Sequence, residues 1–96
     1  MDMICISKRL PGNDPARLAE LATAEARAAW ELYAEGMVRG IYFDTEIPAG
    51  IIRLEAQDKG EARRYLQRLP MVAEGLIDFD IFALGPYRQL STLFAH

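Results

Sequence analysis

The alternation of apolar and polar segments along the chain predicts the element order β-α-β-β-α-β. Short runs rich in β-branched and aromatic residues, typical of strands, alternate with two segments of helical periodicity. The predicted strands cover residues 3–6, 37–44, 51–56 and 76–84, and the predicted helices cover residues 15–35 and 58–70. This order suits a four-stranded antiparallel sheet with both helices on one side.

Local signals define the ends of the predicted helices. Asp14 stands before Pro15, which is the arrangement of an N-cap residue followed by proline at the first helical position, and Gly36 is a typical C-cap residue. Asp58 stands three residues before a glutamate, as in a capping box. The segment 87–96 has apolar residues at helical spacing, so it is predicted to form either a short helix or an arm that docks on a neighbouring chain.

The second strand predicts a sheet that is apolar on both faces. Strict alternation divides its side chains into two sets, Arg39, Ile41 and Phe43 on one face and Val38, Gly40 and Tyr42 on the other. Because neither set is wholly polar, both faces of the sheet must be covered. The helices cover one face, and we expect a second copy of the chain to cover the other, in a homodimer or a larger ring.

Length, charge and composition limit the classes of function. The 96 residues are enough for one domain, 1–96, and a chain this short gains from a partner subunit that completes its core. A formal net charge of −3 with scattered basic residues argues against a nucleic-acid partner. One cysteine, Cys5, and one histidine, His96, exclude a Cys/His zinc cluster. The sequence has no signal-peptide pattern and no membrane-length apolar run, so we expect a cytoplasmic protein.

Glu25 is a carboxylate on the apolar side of the first predicted helix. At 100° per residue it projects within roughly 20° of Leu18, and small alanines beside it leave space. Buried without a partner, such a carboxylate either stays protonated or costs several kcal/mol, which makes it a candidate for general acid–base catalysis. The structural alternative is that Glu25 reaches the edge of the helix or forms an ion pair with Arg39 or Arg53.

Two residues of the second strand are weaker candidates for the same site. Arg39 is interpreted as a buried anion-binding group, as an ion-pair partner of Glu25, or as an exposed residue at the sheet edge. Tyr42 is interpreted as a hydrogen-bond donor to a ligand or as a packed core tyrosine. The sequence contains no glycine-rich phosphate loop, nucleophile elbow or metal-binding motif. A metal site is therefore not expected.

Four short segments carry a family resemblance: Glu35-Gly36 after the first helix, Met37-Val38-Arg39 at the start of the next strand, Leu69-Pro70-Met71-Val72 at the end of the second helix, and Gly85-Pro86 after the last strand. Through them the chain resembles the muconolactone isomerase family of the dimeric α+β barrel superfamily. The resemblance implies a ferredoxin-like subunit that pairs through its sheet. It also implies a ligand cavity between the helices and the sheet.

The resemblance implies a cofactor-independent isomerase that transfers a proton within a small unsaturated lactone or a related carboxylate. It places the base at Glu25 and places at Arg39 a group that steadies a substrate carboxylate or a developing enolate oxygen. Tyr42 is the predicted substrate-binding donor. Two alternatives stay open, a cofactor-free monooxygenase-type cavity enzyme and a non-catalytic module for small-molecule binding or assembly, in which Glu25 is an ion-paired structural group.

Overall fold

The computed structural model describes residues 1–94. Its helices and strands are β1 (Asp2–Arg9), α1 (Pro15–Glu35), β2 (Val38–Phe43), β3 (Gly50–Glu55), α2 (Lys59–Leu66), α3 (Pro70–Ala73) and β4 (Ile77–Ala83). The predicted order is confirmed, with one additional short helix. The sequence predicts that Pro70 ends a helix, but Pro70 also begins α3, because proline fits the first turn, where its missing N–H is not needed.

The predicted caps form at both ends of α1 and at the start of α2. The Asp14 carboxylate accepts a hydrogen bond from the backbone N–H of Ala16 at 3.0 Å. Gly36 ends α1 in the left-handed conformation with φ of 96°, which glycine adopts without steric cost. The Asp58 carboxylate accepts from the backbone N–H of Glu61 at 2.8 Å and so begins α2. Local sequence therefore determines both ends of α1 and the start of α2.

The four strands form one antiparallel sheet in the order β2-β3-β1-β4, with the helices on one face. Met3 and Cys5 of β1 point toward the helices and are fully buried. Ile4 and Ile6 point to the opposite face, here called the outer face, and are partly buried. This arrangement confirms the ferredoxin-like α+β fold that the resemblance implied.

The hydrophobic core lies between the helices and one end of the sheet. Its fully buried members include Leu32 in the C-terminal half of α1 and Leu54 in β3. Ala62 and Leu66 of α2 are buried in the same core. At the opposite end of the sheet the N-terminal half of α1 crosses the strands without closing on them, and space remains between the two.

A β-bulge in β2 changes the predicted faces of that strand. The pairing with β3 shifts between Val38 and Gly40, so Arg39 is an extra residue. Val38 consequently faces the helices together with Ile41 and Phe43, and Arg39 does not share their face. The prediction that Arg39, Ile41 and Phe43 lie on one side is wrong, because strict alternation does not hold across a bulge.

The C-terminal segment forms a 3₁₀ helix, Arg88–Leu93, whose apolar side chains do not join the core. Leu90, Leu93 and Phe94 are exposed to 54%, 72% and 75%. The docking of this segment on a neighbouring chain stays a prediction. His96 lies outside the described residues.

Two further observations concern residues 1–94 alone. No helix in this range is long and apolar enough to cross a membrane. No group of three or more histidine, cysteine, aspartate or glutamate side chains in this range is placed to hold a metal ion.

Candidate active site

A cavity of about 410 Å³ lies between the N-terminal half of α1 and the end of the sheet that the core leaves open. This volume is in the range of small-molecule binding sites. Most of its wall is apolar, formed by side chains such as Leu18, Ile41, Phe43, Ile52, Ile77 and Phe79. On α1 the wall consists largely of alanines, Ala22, Ala26 and Ala29, whose short side chains leave the space unfilled.

Glu25 is half-buried in the α1 wall of this cavity. Its Oε1 accepts a hydrogen bond from the backbone N–H of Met71 at 2.9 Å, at the start of α3. Burial raises the pKa of Glu25, and the Met71 hydrogen bond opposes part of that rise because it stabilises the ionised form. Within residues 1–94 the Glu25 side chain makes no other hydrogen bond. One carboxylate oxygen is thus held in place and the other is available to a ligand.

The two ion pairs that the sequence left open for Glu25 do not form. The guanidinium of Arg53 donates to Asp2 Oδ2 at 2.9 Å, on the outer face of the sheet. The Nε of Arg39 donates to the backbone carbonyl of Gly36 at 2.9 Å, beyond the end of α1. Within the described part of the chain, Glu25 therefore sits in an apolar environment without a cationic partner.

Of the other two predicted site residues, Tyr42 shares the cavity wall with Glu25 and Arg39 does not. Arg39 is absent from the cavity wall, since the bulge and the Gly36 hydrogen bond hold it elsewhere. Tyr42 borders the cavity, but its ring packs over Gly40 on the outer face, where a Cβ on Gly40 would lie 2.6 Å from Tyr42 Cε2. The predicted roles of Arg39 in catalysis and of Tyr42 in substrate binding stay predictions.

Two polar residues of the cavity wall, Ser7 and Arg9, were not predicted from the sequence as site residues. They follow the buried Met3 and Cys5 at the period of two that is typical of a strand, so all four point to the helix side. Ser7 Oγ accepts a hydrogen bond from the backbone N–H of Gly50 at 2.7 Å. The alternation of side chains with a period of two was present in the sequence. The predicted strand was nevertheless limited to the apolar run, residues 3–6, which ends before Ser7 and Arg9.

The geometry suits proton transfer to and from carbon. A carboxylate with a raised pKa binds a proton more tightly than an exposed one, and it can accept a proton from a weakly acidic C–H group and later return it. Glu25 has this property because of its apolar surroundings, and the Met71 hydrogen bond fixes its direction. The cavity beside it has room for a small ring compound.

Two solved enzyme structures share this fold. Muconolactone isomerase superposes with a TM-score of 0.71 over 91% of this chain and 91% of its own, at 21% sequence identity. A 5-chloro-2-hydroxyhydroquinone dehydrochlorinase from Burkholderia phenoliruptrix AC1100, in complex with 2,5-dihydroxybenzoquinone, superposes with a TM-score of 0.66 over 93% of this chain and 98% of its own, at 14% identity. No protein-family model matches the sequence, and no curated protein is significantly similar. At these identities the comparison establishes the fold.

Proposed function

We propose that this protein is a cofactor-independent enzyme that moves a proton within a small unsaturated lactone or a related carboxylate, with Glu25 as the base. The observation that carries the proposal is the half-buried Glu25 carboxylate in an apolar cavity, with one oxygen held by the Met71 N–H. The fold shared with muconolactone isomerase supports the same reaction class.

The proposed reaction needs no group beyond Glu25 for its proton balance. The ionised carboxylate takes a proton from a carbon next to the unsaturated system, and the electron pair of the broken C–H bond moves into that system as an enolate. The protonated Glu25 then returns the proton to a carbon two bonds away, and the double bond shifts. One carboxyl acts first as base and then as acid, which favours a pKa nearer the working pH than that of an exposed glutamate.

A second candidate reaction begins with the same proton abstraction. A dehydrochlorinase removes a proton and a chloride ion from its substrate, and the dehydrochlorinase of the same fold binds a flat benzoquinone ring. The cavity here offers two aromatic side chains, Phe43 and Phe79, against which such a ring can pack. Glu25 is the base in this version also.

The reaction class is tested by proton exchange in D₂O. Muconolactone, related unsaturated lactones and 5-chloro-2-hydroxyhydroquinone are incubated with the protein, and their carbon-bound protons are followed by NMR. Glu25→Gln should lose roughly 10²- to 10⁴-fold in rate, the usual contribution of a general base. Glu31→Gln is the matched control, because Glu31 is exposed on α1 and does not line the cavity. Arg39→Ala in the same assay tests the role predicted for Arg39.

Different results would contradict different parts of the proposal. Exchange that persists in Glu25→Gln would remove Glu25 as the base. Failure of the wild-type protein on every substrate would count against this enzyme class and favour the binding module. Oxygen uptake in the presence of an electron-rich aromatic substrate, measured with an electrode, would favour the monooxygenase-type alternative instead.

We further propose that two copies pair through the outer face of the sheet. The centre of this face is apolar, formed by Ile4, Ile6, Tyr42, Ile51 and Phe82. Phe82 and Tyr42 remain 51% and 59% exposed in one chain. The two charged residues beside this centre, Arg53 opposite Ile4 and Asp80 opposite Ile6, are already paired within the chain, Arg53 with Asp2 and Asp80 with Lys8. The apolar centre therefore needs a cover, and a second copy presents the same centre.

Sedimentation velocity tests this pairing. Phe82→Asp places a charge in the apolar centre and should convert a wild-type dimer or larger ring to monomers. Thr23→Asp, on the exposed surface of α1, should leave the assembly unchanged. A wild-type protein that sediments as a monomer at all concentrations would contradict the pairing.

A further inference from the structure

Arg9 is the cationic side chain of the cavity among residues 1–94, and the structure gives it no internal partner. It is the last residue of β1, lies on the helix side opposite Ile77 of β4, and is exposed. No carboxylate in the described part of the chain forms an ion pair with it. Its neighbour Lys8 points to the outer face and is paired with Asp80 at 2.8 Å. Lys8 is therefore held in an ion pair on the outer face, whereas Arg9 lies in the cavity wall.

Ser7 places a second polar group beside Arg9. The two residues are two positions apart on one face of β1, which corresponds to roughly 6.6 Å between their Cα atoms. Ser7 Oγ accepts from the Gly50 N–H at 2.7 Å, so its own hydroxyl proton is available to another acceptor. A ligand oxygen at this end of the cavity therefore meets a guanidinium and a hydroxyl donor, while the remaining walls are largely apolar.

We propose that Arg9, assisted by Ser7, is the anion-binding group of the cavity, and that it selects ligands with one carboxylate on an otherwise apolar ring. One guanidinium and one hydroxyl match a single carboxylate, whereas a phosphate dianion has more charge and more acceptor oxygens than this pair can satisfy. The arrangement assigns to Arg9 the anchoring role predicted from the sequence for Arg39. The inference rests on the proposed function, since it names the ligand class of the same cavity.

Anchoring at Arg9 also orients the ligand toward Glu25. The carboxylate binds on the sheet side of the cavity, and the ring extends along the apolar wall toward α1, where Glu25 lies. A negatively charged group is thereby directed to the sheet and away from the carboxylate that must act as the base. Arg9 is in this view a binding and positioning residue, and Glu25 remains the group that exchanges the proton.

The test compares two probes of equal shape, 2-naphthoate and 2-naphthamide, by isothermal titration calorimetry. Wild-type protein should bind the charged probe roughly tenfold to a hundredfold more tightly, the range of a charge-assisted hydrogen bond. Arg9→Met should abolish this preference while still binding the amide, which shows that the cavity is intact. Arg9→Lys should restore part of the preference, and Arg27→Met, an exposed control on α1, should keep all of it.

Three results would overturn the inference: no preference for naphthoate in the wild type, no binding of either probe, or a preference that survives Arg9→Met. Affinity for naphthoate should also fall with added salt, and affinity for the amide should not. Glu25→Gln is expected to keep the preference. The anion preference measured in Arg9→Met and the proton exchange measured in Glu25→Gln are independent. The anchoring role of Arg9 can therefore be refuted while the role of Glu25 as the base stands, and the reverse is also true.

Discussion

Filling the cavity from its α1 wall should stabilise the protein and abolish ligand binding. Ala22 lines the cavity beside Glu25, and Ala22→Leu adds three carbon atoms that point into it. At about 0.8 kcal/mol for each buried methylene-sized group, complete burial contributes about 2.4 kcal/mol. Because the cavity opens to solvent, we expect about half of this, or ~1 kcal/mol. A domain of this size gains about 4–8 °C in thermal midpoint for each kcal/mol.

The matched control is Ala24→Leu on the exposed side of the same helix. Alanine and leucine have similar helix propensities, so the backbone contribution is nearly the same at both positions. Circular dichroism melts compare the two variants with the wild type, and calorimetry with 2-naphthamide measures access to the cavity. Equal melting midpoints for Ala22→Leu and Ala24→Leu, together with unchanged probe binding in Ala22→Leu, would refute the cavity assignment.

Two further predictions concern stability. Burial raises the pKa of Glu25, so its ionised form destabilises the folded state above that pKa; Glu25→Gln should therefore be more stable than the wild type at pH 7, and the difference should shrink as the pH falls toward 4. Melts at both pH values check this, and a difference independent of pH would contradict it. Leu32→Ala, at a fully buried position, should lose roughly 2–5 kcal/mol in urea denaturation, and a loss well below 1 kcal/mol would show that the core packs differently.

The fold could be predicted from the sequence because its signals are local. Asp14, Pro15 and Gly36 define α1 at both ends through capping geometry that depends on a few neighbouring residues. The strands were recognised from their composition, and apolar side chains occur on both faces of the sheet, although the outer face also carries the paired charges of Arg53 and Asp80. The short helix after Pro70 was missed, since proline signals the end of one helix and the beginning of another equally well.

The site was predicted only in part because it depends on tertiary arrangement. The helical period alone brings Glu25 to the apolar side of α1, and the structure places it in the cavity wall. For Arg39 the period-two pattern was insufficient, because a bulge after Val38 takes Arg39 off the face of Ile41 and Phe43 and no local residue pattern announced it. Arg9 was overlooked for the opposite reason: it obeys the strand period, but a basic residue at a strand end resembles an ordinary exposed charge.

The most direct test of the proposed mechanism is the pKa of Glu25 itself, measured by NMR titration of its ¹³C-labelled carboxyl group. Comparison with the spectrum of Glu25→Gln assigns the resonance. The mechanism predicts a midpoint above the ordinary range of glutamate, because the apolar cavity opposes ionisation more strongly than the Met71 hydrogen bond favours it. A midpoint within or below that range would show that Glu25 is an ordinary solvated carboxylate and would contradict its role as a base prepared by burial.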